Sequence, residues 1–250
     1  MIRWMNKRKI AIFVEGDTEL VFVRHFLNTW YNYDANLLGF ECYKLQSNNK
    51  HTVPYPIGSR NSENFYEIII VGNDNSVLSK MLSRAEELGN AGFTSIIGLR
   101  DMFCDKYHQA SSHGRVVSTS LNAKFISAAQ NAITQSQLNN KQDIHLHFAI
   151  MEVEAWLLGM NRLPMVIDSS FTVTDIKDNL GIDLSQDPEM SIYHPAVVLK
   201  SIYNLSGKTY GKHTDDTERV ISQLMREDFE QLYSSGKCQS FQQFVDAILY

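Results

Sequence analysis

The chain predicts an α/β protein: a mainly parallel sheet flanked by helices, with a helical C-terminal extension. Three observations predict it. Short runs of branched and aromatic residues recur at 10–14, 67–72, 93–99 and 143–150, and each reads as a buried parallel strand. Segments with helical spacing fall between them, an alternation that calls for right-handed crossovers. Past Pro164 the β-rich runs stop and helical spacing takes over. The boundaries drawn from this pattern are an α/β domain over residues 1–160 and a helical layer over 161–250 packed on it.

In chain order, Ile10-Ala-Ile-Phe-Val14 forms the first strand and Glu15 ends it. Gly16 gives a tight turn, and Asp17 or Thr18 caps a helix carrying Leu20, Val21, Val23, Phe26 and Leu27 that ends between Tyr31 and Asn36. Gly39 to Leu45 alternates enough to be a strand. Gln46 to Asn64, with Pro54, Pro56, Gly58 and many Ser and Asn residues, reads as a long loop. Glu67 to Gly72 is a second buried strand. Asn73 to Ser76 caps a helix to Leu88 that sets Leu78, Met81, Leu82 and Ala85 on one face, and Gly89 and Gly92 stop it. Phe93 to Leu99 is the next strand, with Arg100 and Asp101 at its carboxyl end. Asp105 to Val116 is polar and reads as a loop, and Ala123 to Leu138 as a helix. Asp143 to Ile150 is a fourth central strand running into Met151-Glu-Val-Glu-Ala-Trp-Leu-Leu158, which turns helical. Further helices are expected near 173–180, 196–203, 214–225 and 241–249.

Composition bounds the function. At 250 residues the chain can bury a sizeable core. A net charge of −5 argues against a protein coated in positive charge, while leaving room for a local basic groove. Cys42, Cys104 and Cys238 are widely spaced and odd in number, so they make no zinc or disulfide framework and point to a cytoplasmic, reducing compartment. The apolar run after the basic N-terminus is too short for a signal peptide, and no run approaches a membrane span.

The chemistry sits in acids at strand ends. Glu15 and Asp101 close two of the expected parallel strands, and a third runs into Glu152 and Glu154. Neighbouring strands lie roughly 4.8 Å apart, so carboxylates at their carboxyl ends can converge, the place where open α/β sheets carry their sites. Several ionised carboxylates share a small space only with a cation between them, and oxygen-only ligands select magnesium, manganese or calcium over zinc.

The strand followed by Val14-Glu15-Gly16-x-Thr18-Glu19, with a later strand ending in Asp101, resembles the Toprim fold of topoisomerases, primases and the overcoming-lysogenization-defect nucleases. Met151 to Leu158 is similar to the Glu-x-Trp-Leu segment of compact bacterial Toprim-like families, some of which serve in phage defence. His194-Pro195-x-x-x-Leu199 and Tyr210-Gly-Lys212 resemble their proline-led helix and Tyr-x-Lys element. The resemblance implies a Rossmann-like Toprim sheet and a Mg2+- or Mn2+-dependent nuclease acting on DNA or RNA phosphodiesters. It leaves a partner ATPase and a homo-oligomer open. It makes Glu15 a metal ligand or general acid/base, Glu19 the second acid of the motif, Asp101 a metal ligand, Glu154 the third acid, and Lys212 the lysine facing phosphate. The sequence departs from the pattern at Phe103, where the family's second aspartate falls, so either Asp105 replaces it from the loop or the site holds one metal.

Each residue also has a plainer reading. Glu19 can favour its helix N-terminus, worth about 0.3–1 kcal/mol. Asp101 can cap or pair with Arg100, Glu152 can be a solvated helix residue, and Lys212 a surface lysine. The loss of the second aspartate motivates an alternative function, a Toprim-fold regulatory or partner-binding module without catalysis. Arg100, Lys208 and His113 fall where a phosphate-bearing substrate would meet them. Ser206-Gly-Lys-Thr209 imitates a P-loop, but the first glycine position is Ile202 and no buried strand precedes it. His145 and His147 share a strand face without a cysteine nearby, which reads as packing rather than zinc.

Overall fold

A computed structural model describes residues 7–46, 49–73, 76–111, 115–211 and 213–250. Strand β1 (Arg8–Val14) leads into helix α1 (Asp17–Trp30). Strands β2 (Leu38–Gln46), β3 (Asn49–Ile57) and β4 (Asn64–Ile70) precede α2 (Val77–Asn90) and β5 (Ser95–Asp101). Helices α3 (Asp105–Ala110) and α4 (Thr119–Gln135) come before β6 (Ile144–Ala149). The rest of the chain is helical: α5 (Glu154–Gly159), α6 (Leu163–Ile167), α7 (Val173–Leu180), α8 (Pro188–Ser191), α9 (Pro195–Leu205), α10 (Thr214–Ile221), α11 (Arg226–Ser234) and α12 (Gln239–Leu249).

The six strands form one sheet in the order β3-β2-β4-β1-β5-β6. β1 pairs in parallel with β4 and β5, β4 pairs in parallel with β2, and β3 pairs antiparallel with β2. The fold is therefore the expected mixed α/β, Rossmann-like sheet with helices on it and a helical C-terminal stretch. Several elements differ from the expectation. The stretch from Gln46 to Asn64 is not one loop: it holds β3, an edge strand whose pairing with β2 shifts register between Phe40 and Cys42, and Pro54 and Pro56 fall opposite that shift. β4 starts at Asn64, ahead of Glu67, and carries that glutamate within the strand. β6 lies at the other edge and is not a central strand. Residues 105–110, expected in a loop, are helical. Helix α1 takes Gly16 as its cap instead of Asp17 or Thr18, because Glu19 reaches back to the Gly16 amide.

The chain forms two compact units. The first holds residues 1–100 and 127–147, the second 101–126 and 148–250. In the first, Ala11, Phe13, Ile69, Met81, Ala85, Leu88, Ile96, Ile133 and Ile144 bury one face of the sheet under α2 and the end of α4. The alternation of β1, β4 and β5 thus puts one set of branched side chains on each face. In the second, Trp156 is fully buried, stacked on Phe244 (5.7 Å between ring centroids) and edge-on to Phe241 (5.4 Å).

Close backbone approach favours glycine at positions 39 and 58 in the first unit, and Gly39 shows it without a left-handed φ. A Cβ on Gly39 would lie 2.1 Å from the Ser59 carbonyl oxygen and 2.9 Å from Ser62 Oγ. Gly39→Ala must push β2 off the turn before β4. It is expected to cost roughly 1–3 kcal/mol, read as a lowered midpoint in urea unfolding; an unchanged midpoint would show that the turn yields freely.

Candidate metal centre

In the second unit, the ends of β5 and β6 run on side by side. The Met102 amide donates to the Ala149 carbonyl (2.9 Å) and the Phe103 amide to the Met151 carbonyl (2.8 Å). Met151, fully buried, takes a left-handed φ of 67°, and the Glu152 amide closes a tight turn on the Ile150 carbonyl at 3.1 Å. A methionine held in that region stores backbone strain, which persists only where its surroundings enforce it. The turn stops β6 and brings residues 152–154 back over the end of β5.

Asp101, Glu152 and Glu154 meet there, each offering a carboxylate oxygen within 4.8 Å of the others. Among the described residues this is the one group of three ligating side chains in reach of a single ion. Asp101 and Glu154 are buried and Glu152 is half-buried. A donor orients each acid. The Val153 amide donates to Asp101 Oδ1 (3.0 Å), the Ala196 amide at the start of α9 donates to Glu152 Oε2 (2.9 Å), and the Tyr210 hydroxyl donates to Glu154 Oε1 (3.1 Å). Such outer partners fix ligand orientation around metals. The donors are oxygens alone, with no thiol or imidazole among them, a set that fits magnesium, manganese or calcium.

The other residues singled out in the sequence fall as follows. Glu15 follows the last residue of β1 in the first unit, half-buried; the Gly72 amide donates to its carbonyl at 2.8 Å. Arg100 lies one step past the Val14–Leu99 pair in the register of β1 with β5. Glu19 is buried, and its Oε2 accepts the Gly16 amide at 2.8 Å, the reciprocal half of a capping box. Asp105 is exposed in the first turn of α3 and is not among the three clustered acids. Lys208 donates to the Ile167 carbonyl, in a segment where Ser206 ends α9 and Gly207 takes φ 70°, so Ser206 to Thr209 is a helix terminus and not a phosphate loop. His113 and Lys212 lie outside the described residues.

Phe103, at the position of the absent second aspartate, packs into a cluster of rings. Its centroid lies 4.6 Å from His194, 5.5 Å from Tyr193, 6.3 Å from His108 and 6.5 Å from Tyr107. Burial lowers the pKa of His194, with Glu152 working in the opposite direction. On β6, burial and then His145 push His147 down to about 4, so it is neutral at physiological pH.

Fold and site define a mixed α/β protein whose second unit gathers three oxygen ligands where two strands end. No protein-family model matches this chain, and neither does any curated protein or solved structure. Among the described residues, no helix is long and apolar enough to cross a membrane.

Proposed function

We propose that the chain is a Toprim-like, magnesium- or manganese-dependent phosphodiesterase that cuts nucleic acid. One observation carries the reading: the carboxylates of Asp101, Glu152 and Glu154 lie within 4.8 Å of one another, two of them buried. When bound, a hard divalent cation supplies charge neutralisation for phosphate oxygens and for the leaving oxyanion. Asp101, Glu152 and Glu154 are the residues that hold it, and the Val153 amide, Ala196 amide and Tyr210 hydroxyl keep those acids in place. The roles of Glu15 and Lys212 in this reading, like the part of a phage-defence effector, rest on the resemblance of Val14 to Glu19, of Met151 to Leu158 and of Tyr210 to Lys212; that of Arg100 rests on its place at the end of β5, and the reducing cytoplasm on the three unpaired cysteines.

The test is a melt and a cleavage assay on the whole chain with magnesium or manganese. A cation at a hundred times its dissociation constant stabilises by about 2.7 kcal/mol, a rise of roughly 5–10 °C for a chain of this size. DNA or RNA should be nicked only in its presence. Phe103, packed among rings where an acid would serve a second cation, favours one further reading, a binding module without catalysis. Stabilisation by the cation without cleavage of any polymer would select that reading, and a melting temperature indifferent to cations would end the metal proposal.

A further inference from the structure

Glu189, in the short helix α8, has 3% of its surface exposed. Its Oε1 accepts Trp156 Nε1–H at 2.9 Å and the Ser240 hydroxyl, and its Oε2 accepts the Ser240 amide at 3.2 Å. Ser240 Oγ in turn accepts Trp156 Nε1–H (2.9 Å) and the Ile150 amide (3.3 Å). One carboxyl therefore ties α8 to the central ring of α5 and to the first turn of α12, where an amide has no partner within its own helix. Among the described residues no lysine, arginine or histidine pairs with it. The titratable groups facing it are the Asp187 carboxylate, which caps α8 and accepts the Glu189 and Cys238 amides, and the Cys238 thiol. Lys237 is turned to Asn161 and the Leu184 carbonyl.

We propose that Glu189 is a proton switch that sets how tightly α8 grips α5 and α12. Ionised, the carboxylate takes all three donors. Protonated, one of its oxygens becomes a donor, so either the Ser240 hydroxyl turns to accept it and gives up its own bond to the carboxyl, or the bond from an N–H facing that oxygen is lost. Two physical effects of opposite sign meet here. Burial beside the negative Asp187 disfavours the anion, and the Ser240 and Trp156 donors favour it. Burial is the larger, and it pushes the carboxyl up to about 7. A carboxyl raised in the folded state binds its proton more tightly there than in the unfolded chain. Its contribution to stability is thus present below the ordinary carboxylate range and is lost as the pH rises through about 7. None of this depends on the cation reading.

Carboxyl-labelled glutamate followed by NMR on the full chain across neutral pH tests the switch. One carboxyl should titrate near neutrality, and the Trp156 indole and Ser240 amide signals should move with it. Glu189→Gln should remove that transition. Ser240→Ala, which takes one donor from the anion, should raise its midpoint by about one pH unit. Titration of every carboxyl in the ordinary range, or an indole transition that survives Glu189→Gln, would overturn the proposal. If Glu189→Gln does not fold, an unmoved midpoint in Ser240→Ala overturns it equally.

Discussion

On the proposed cation-dependent phosphodiesterase activity, Glu154→Gln is expected to abolish the cation-induced rise in melting temperature and to lower cleavage by roughly 10^3-fold. The amide keeps the size of the side chain, and its Oε1 can still accept the Tyr210 hydroxyl, so packing around this fully buried position is preserved. Only the charge is lost. Two ionised carboxylates whose oxygens lie within 4.8 Å of each other repel by roughly 3 kcal/mol or more at an effective dielectric constant near 20. The variant should therefore melt at or above the wild-type temperature without cation, and below it with cation. Asp101→Asn should behave alike. Glu152→Gln should lose less, because that acid is half-exposed and its oxygen keeps the Ala196 amide. The crossing of the two melting curves separates a cation ligand from a structural acid. A Glu154→Gln protein that melts lower than wild type and still responds to manganese would make Glu154 only an acceptor for Tyr210.

How much of this was legible in the sequence depended on how far apart the cooperating residues lie. The apolar run into Glu15 and Gly16 is local, and so are the strand and its turn. Glu154 stood out because an apolar helix start follows it directly. Glu152 read as a solvated acid because the amide it accepts is 44 residues away, at the start of α9. The link from Tyr210 to Glu154 spans 56 residues and has no local signature. The departure at Phe103 was plain, yet its ring partners come from α3 and from the entry to α9. Glu189 gave no signal at all, since nothing in its neighbours along the chain shows that Trp156 and Ser240 will close over it. The missed strand β3 is a case of composition misleading: prolines that would break an inner strand sit at an edge, opposite a shift of register.

That strand brings in a charge with a large expected effect. Lys50, on β3, donates to Glu67 in the middle of β4, and Arg60 stands 3.8 Å from the same carboxylate. The Glu67 side chain is 3% exposed and that of Lys50 23%, so the pair is unequal. Lys50→Met strands a buried carboxylate, which typically costs 3–5 kcal/mol. With Arg60 still near, a loss of about 3 kcal/mol is expected in denaturant unfolding. Glu67→Gln leaves an ammonium that can swing into water, so its cost should be about 1 kcal/mol. The double variant Lys50→Met/Glu67→Gln should then recover most of what Lys50→Met alone loses, a coupling visible in a double-mutant cycle. Equal costs for the two single changes, with no recovery in the double, would mean that water or Arg60 already satisfies Glu67 and that β3 adds no charge partner to the sheet.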